Sequence, residues 1–262
     1  MILGKRLVVV MPAYNAAKTL KKTYHEIDRT LVDEIILTDD CSSDDTLYIA
    51  RDLELVLLHH ERNMGYGANQ KTCYKKALEI GADIVIMVHP DYQYTPRIIP
   101  AIAYLLGTGF YDYVQGSRML GRGAIKSGMP WYKYVANRVL TTFQNLVLAQ
   151  GLSEYHTGYR GFTRKVLETL PILENSDDYL FDNQMLCQVI FFGFRIGEVS
   201  CPAHYFAEAS TISFWKSCLY ALGVIRTTFQ VIGQKAGLYK TPILSAGGRK
   251  LTVLDRGEGA RQ

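Results

Sequence analysis

Short apolar runs that each stop at a polar turn dominate the first half of this chain. Leu7 to Met11, Glu34 to Thr38, Leu55 to Leu58 and Ile84 to Val88 read as buried strands, and Tyr113-Val114-Gln115 opens another that ends at Gly116-Ser117-Arg118. Between them, Ala16 to Arg29, the stretch after Ser43-Asp44, Ala68 to Ile80 and Ile98 to Leu106 read as helices. Strands alternating with helices predict βαβ units and a mostly parallel sheet. A chain of 262 residues with 48% hydrophobic content can bury one large α/β core. Neither G-x-G-x-x-G nor G-x-x-x-x-G-K-[ST] occurs, so no dinucleotide fingerprint or P-loop carries the fold.

In open α/β sheets, ligands collect outside the carboxyl ends of the strands. Those ends carry Pro12-Ala13-Tyr14-Asn15, Asp39-Asp40 with Asp44-Asp45 close behind, and His89-Pro90-Asp91-Tyr92-Gln93. Two adjacent acids at the end of a buried strand repel each other and need partners. Carboxylates on such a rim suit two tasks: accepting hydrogen bonds from a base or ribose, and holding a divalent cation against a diphosphate. Asp91 and Gln93 are hard oxygen donors for Mg²⁺ or Mn²⁺, and His89 offers a nitrogen suited to Mn²⁺. Helix capping is the plainer reading for Asp44 and Asp45.

The second half changes character. Trp131 to Ala149 reads as an amphipathic helix, His156 to Phe162 as a glycine-punctuated loop, Tyr179 to about Phe192 as a helix, and Arg195 to Cys201 as a strand. Ile212 to Gln234 is a long helix in which Lys216, Gly223, Thr227, Gln230 and Gln234 fall in one narrow stripe and nearly everything else, apart from Arg226, is apolar or aromatic. Core packing, a homodimer seam and a membrane surface are all open for its broad apolar side. Residues 1–240 are expected to form one domain, with a nucleotide-sugar-binding half to about 118, an acceptor half over 119–211 and the amphipathic helix over 212–240. Residues 241–262 are expected to be a flexible tail.

The formal net charge of +4 permits an anionic substrate or membrane without requiring either, and no nucleic-acid partner is expected. The five Cys show no C-x-x-C pair, which predicts reduced thiols and a cytoplasmic protein, with peripheral attachment to the inner face of a membrane as an open extension. No run long enough for a transmembrane helix is seen.

Several motifs in order resemble the family 2 glycosyltransferases of GT-A fold. Pro12-Ala13-Tyr14-Asn15 resembles P-x-Y-N, residues 39–46 resemble D-D-x-S-x-D-x-T, and Asn63-Met64-Gly65 resembles the N-x-G turn. Asp91-Tyr92-Gln93 with Pro96 resembles the metal motif D-x-D-x-Q-x-x-P of the polyprenyl-phosphate sugar synthases, the dolichol-phosphate mannose synthase branch, and Gly116-Ser117-Arg118 resembles its G-S-R. The resemblance implies a Rossmann-like, mostly parallel sheet flanked by helices, and a metal-dependent, inverting transfer of a hexose from a nucleoside diphosphate sugar. Carried over, Pro12, Ala13, Tyr14, Asn15, Asp39 or Asp40, and Gly65 would bind the nucleotide. Asp91 and Gln93, with His89 beside them, would hold the metal, and Arg118 would face the phosphates. His89 stands where the family has Asp, and Phe206 to Thr211 carries no Lys or Arg where the synthases carry a basic residue.

A phosphate acceptor is already a nucleophile at neutral pH, whereas a sugar hydroxyl needs a general base. Glu154, His156 and Asp182 are the base candidates, and Arg160 and Arg164 are candidates to receive an acceptor phosphate. The expected acceptor is a polyprenyl phosphate or a lipid-linked saccharide. A soluble saccharide, or a non-catalytic nucleotide-binding subunit, are the alternatives.

Overall fold

The computed structural model describes residues 1–120, 123–126, 128–203 and 214–251. The strands are β1 (Leu7–Ala13), β2 (Glu34–Asp39), β3 (Val56–His59), β4 (Ile84–Met87), β5 (Tyr113–Ser117), β6 (Arg160–Thr163) and β7 (Ile196–Ser200). They form one sheet in the order β3-β2-β1-β4-β6-β5-β7. All pairings are parallel except those of β6, which runs antiparallel between β4 and β5. The helices are α1 (Leu20–His25), α2 (Thr46–Arg51), α3 (Tyr66–Glu79), α4 (Ile99–Gly107), α5 (Gly123–Lys126), α6 (Trp131–Leu148), α7 (Arg164–Thr169), α8 (Phe181–Phe191) and α9 (Phe214–Lys235).

Side chains alternate across a strand, so β1 feeds both faces of the sheet. Leu7, Val9 and Met11 pack with α1 and α4 on one side; Val8 and Val10 pack with α3 and α8 on the other. The result is three layers with a core on each face of the sheet.

Strand β6 lies in the stretch read from sequence as a loop. Its Arg160-Gly161-Phe162-Thr163 has no apolar run, yet it sits centrally. A Cβ on Gly161 would meet Ile102 Cγ2 at 2.6 Å, so the glycine lets α4 press onto the sheet. Helix α1 is shorter than its sequence signal. The Ala16 and Ala17 N–H groups bond to Thr46 Oγ1 and Asp44 Oδ2 instead of opening a helical turn.

The expected flexible tail is packed as far as it is described. Ile243, Leu244 and Leu251 are buried, and Gln188 and Gln234 donate to the Ile243 and Leu244 carbonyls. The stretch Phe206–Thr211, where a basic residue was missing, lies outside the described residues. Among the described residues no helix is long and apolar enough to cross a membrane.

Candidate active site

The carboxyl ends of β1, β2, β4 and β5 converge on one rim, and the chain is strained there. Of five non-glycine residues in the left-handed region among the described residues, three follow these strands: Asn15 (φ 51°), Cys41 (φ 59°) and Tyr92 (φ 57°). Such conformations cost about 1–3 kcal/mol each and concentrate at functional sites.

Pro12 and Ala13 extend β1 beside Thr38 and Asp39, and Tyr14 is exposed on the rim. Asn15 ties two turns together. Its Oδ1 accepts from the Ser43 N–H, and its own N–H donates to Ser42 Oγ.

The two adjacent acids divide the labour. Asp40 is fully committed: Oδ1 accepts from the Met64 N–H (2.8 Å) and bonds His60 Nδ1 (2.7 Å), and Oδ2 accepts from the Gly65 N–H (2.9 Å). It therefore builds the Asn63-Met64-Gly65 turn. Gly65, at φ +100°, allows that turn to meet the Asp177 carbonyl, which a Cβ would approach to 2.5 Å. Asp39 uses only Oδ2, toward His59 Nδ1 (3.0 Å) and the Ser42 N–H (3.1 Å). Its Oδ1 is buried with no partner. An unfilled carboxylate oxygen inside a protein is costly unless something binds it.

At the end of β4, Asp91 Oδ1 accepts from the Gln93 N–H (3.0 Å). His89 belongs to a chain of groups that sequence separation hid. The Tyr66 hydroxyl donates to Asp182 Oδ2 (2.7 Å) and lies 3.0 Å from His89 Nε2. Because the Tyr66 proton goes to Asp182, the Tyr66 oxygen is left to accept from His89 Nε2–H. Gly158 closes over the same ring; a Cβ there would lie 2.5 Å from Nε2. The other Asp182 oxygen accepts from Gln70 (3.1 Å). Burial, with the Asp182 charge added, pushes the Tyr66 phenol well above its ordinary pKa.

Arg118, at the end of β5, pairs with the buried Glu154 through its guanidinium and its backbone N–H (2.8 Å), and Asn137 Nδ2 donates to the same carboxylate (2.8 Å). Burial alone would raise the Glu154 pKa, but the Arg118 charge and hydrogen bonds overcome it and hold the carboxyl below its usual range. Of the three base candidates, the two carboxylates, Glu154 and Asp182, are thus engaged on both oxygens.

The candidate phosphate receivers sit elsewhere. Arg160 is fully buried and donates to the Thr157, Asp182 and Tyr155 carbonyls. Arg164 donates to the Leu78 and Ala82 carbonyls and pairs with Glu168. Both are structural clamps. Tyr66, Gln70 and His59 are the participants that sequence reading missed; only the tyrosine beside the N-x-G turn gave any signal.

His156 Nδ1 bonds the Tyr220 hydroxyl of α9 (2.8 Å), while Nε2 is buried without a partner. Burial lowers its pKa to about 4, with Arg118 and Arg160 acting the same way against the opposing pull of Glu154. An unfolded histidine protonates near 6.5, so between pH 6.5 and 4 the unfolded state binds the extra proton. Stability is therefore lost as pH falls through that window, by roughly 3 kcal/mol in full. Urea unfolding of wild type and His156→Gln across this range should give a flatter curve for the variant. Parallel curves would refute the assignment.

Among the described residues no three His, Cys, Asp or Glu side chains form a cluster able to hold a metal by themselves. Asp91 is a hard oxygen donor of the kind that holds Mg²⁺ together with the oxygens of a diphosphate.

A family model, "Glycosyl transferase family 2", matches residues 8–170. A UDP-N-acetylglucosamine--dolichyl-phosphate N-acetylglucosaminyltransferase of Methanococcus voltae is 30% identical over 183 residues, covering 63% of this chain and 72% of the relative. A polyprenol monophosphomannose synthase of Mycolicibacterium smegmatis is 25% identical over 206 residues, covering 74% and 76%. Among solved structures, glucosyl-3-phosphoglycerate synthase of Mycobacterium tuberculosis, in complex with UDP, superposes with a TM-score of 0.66 at 21% identity, covering 88% of this chain and 81% of that one. The fold is thus GT-A, and with the model spanning more than half of its length the chain belongs to glycosyl transferase family 2.

Proposed function

We propose that this glycosyltransferase moves a hexose, with inversion, from a nucleoside diphosphate sugar to a polyprenyl phosphate, using Mg²⁺ or Mn²⁺. The observation that carries the acceptor class is the state of the two carboxylates beside the site. Glu154 is neutralised by Arg118 and Asp182 is filled by Tyr66 and Gln70. Neither carboxylate is left to take a proton from a sugar hydroxyl, His156, its pKa lowered to about 4 by burial, is a weak base, and a phosphate acceptor has no such proton to give up. The names of the Methanococcus and Mycolicibacterium relatives, which join sugar transfer to dolichyl phosphate and polyprenol monophosphate, support the same class.

In this reading Asp39 Oδ1 accepts an N–H from the base, and Asp40 keeps its turn in place beneath the nucleotide. Asp91, with Gln93 beside it, holds the cation against the diphosphate, and the Tyr66 hydroxyl holds the His89 ring through Nε2. Arg118 adds positive charge where the diphosphate departs. The bound metal would supply the remaining counter-charge for that leaving group. The deciding experiment offers one donor panel to a short-chain polyprenyl phosphate and to a free saccharide. Transfer to the saccharide alone would refute the acceptor class.

The nucleotide contact has its own test. Asp39→Asn should cost about 1–3 kcal/mol in nucleoside diphosphate affinity, roughly five- to hundred-fold, because a buried donor loses its charged acceptor. Asp40→Asn should register first as lower thermal stability. Calorimetry that finds unchanged affinity for every base in Asp39→Asn would place the base elsewhere.

A further inference from the structure

Helices α6 and α9 are built inside out. The faces they turn inward carry many polar groups: Asn137, Thr141 and Gln144 of α6, and Thr227 and Thr228 of α9, are buried, together with the apolar Leu148, Val224 and Val231. Gln144 donates to Thr228 Oγ1 (3.0 Å) and accepts from Asn183 of α8 (2.9 Å), so the inward faces are joined by hydrogen bonds. From Gly223 to Gln234 the polar stripe seen in the sequence of α9 is turned inward, while Lys216 at its start is exposed. Gly223 within it lets Leu180 approach, and Gln234 accepts from the Thr241 N–H.

The outward stripes are apolar. Trp131 (74% exposed), Val139 (62%) and Leu146 (79%) recur along α6; Leu219 (67%), Leu222 (63%) and Phe229 (54%) recur along α9. The spacings of eight and seven residues on α6, and of three and seven on α9, put each set on a single helix face. A water-facing helix has the reverse arrangement, and apolar stripes on two neighbouring helices exceed what soluble surfaces tolerate without a function.

Charge names what covers them. Lys133 and Arg138 on α6, Lys216, Arg226 and Lys235 on α9, and Lys240 beyond it are the charged residues of this region, and neither helix contains an Asp or Glu. The same chain carries 25 acids elsewhere. Two copies meeting through such faces would bring like charges together; an anionic lipid surface attracts them.

We infer that α6 and α9 lie in the headgroup region of an anionic membrane, apolar stripes down, without spanning it. Helix α9 also reaches the rim, because Tyr220 bonds His156, whose carbonyl accepts from Arg118. Docking would therefore set the site beside the lipid phase. The inference stands on these helices and goes beyond the acceptor reading, so the two can fail separately.

The test is flotation of the full chain with vesicles of phosphatidylcholine alone or mixed with phosphatidylglycerol, without donor or acceptor. Wild type should float with the mixed vesicles and be released by salt. A Leu146→Glu, Leu222→Glu double variant should partition at least about tenfold less. Circular dichroism checks that the variant is folded, and its turnover of donor with a short-chain, water-soluble acceptor should match wild type. Wild type that stays at the bottom of the gradient overturns the inference. If light scattering then finds a dimer that the double variant splits, the face is a seam between two copies. Loss of short-chain turnover in wild type, with flotation intact, would instead fault the acceptor reading.

Discussion

Asp91→Ala is expected to lower turnover by two to four orders of magnitude, on the order of 3–5 kcal/mol of lost transition-state stabilisation. The diphosphate leaves with more negative charge than it brought, and the carboxylate proposed to hold the counter-ion against it would be gone. Binding of donor with Mn²⁺ should weaken far more than binding of the nucleoside, because Asp39 and the turn at Gly65 are untouched. Full turnover of Asp91→Ala at saturating Mn²⁺ would remove Asp91 from the metal site. The neighbouring position behaves differently. In His89→Asp a second carboxylate would face the Tyr66 hydroxyl, which has one proton and already gives it to Asp182. The family-like residue should therefore be worse tolerated here than its frequency at that motif position would suggest, unless Tyr66 is changed with it. A Tyr66→Phe, His89→Asp double variant separates the two effects, and Mn²⁺ titration of each variant reads them without turnover.

Much of the fold was legible because its parallel strands are buried on both faces and so read as unbroken apolar runs. Val8-Val9-Val10 and Ile84-Val85-Ile86 leave little choice. Strand β6 escaped because its place is fixed by neighbours and not by its own composition. Arg160 is buried through carbonyl contacts, and Gly161 is there for the closeness of α4. No local pattern announces either. The rim was legible for a related reason: acids at the end of a buried strand are conspicuous. What each acid does was not. Only the structure separates Asp40, with every oxygen filled, from Asp39, with one oxygen waiting. The link from Tyr66 to Asp182 spans 116 positions in sequence and has no signature at either end. The amphipathic helices show the converse. Periodicity separates an apolar from a more polar stripe, but it does not say which faces in, and here the inward faces hold most of the polar groups beside Leu148, Val224 and Val231.

Glu154 provides the second large effect, and it is one of stability. Its carboxylate is fully buried against Arg118 and Asn137. Removing one member of a buried ion pair leaves an uncompensated charge, at a cost of about 3–5 kcal/mol. Glu154→Ala should lose that much in urea unfolding, a large share of the 5–15 kcal/mol typical of a folded domain. Replacing both partners with apolar residues of similar volume, Glu154→Leu with Arg118→Met, should restore most of the stability, because no lone charge remains. Activity should not return, since Arg118, the cation proposed to face the diphosphate, is gone. Glu154→Gln divides the two roles further. It keeps the shape and one acceptor oxygen for Arg118, so it should be less stable than wild type, yet turn over a phosphate acceptor within about tenfold of the wild-type rate at a temperature where it is folded. A general base behaves in the opposite way: its amide variant folds normally and loses catalysis. Full stability with lost turnover in Glu154→Gln would therefore make Glu154 a proton acceptor and return a hydroxyl-bearing saccharide to first place among the acceptors.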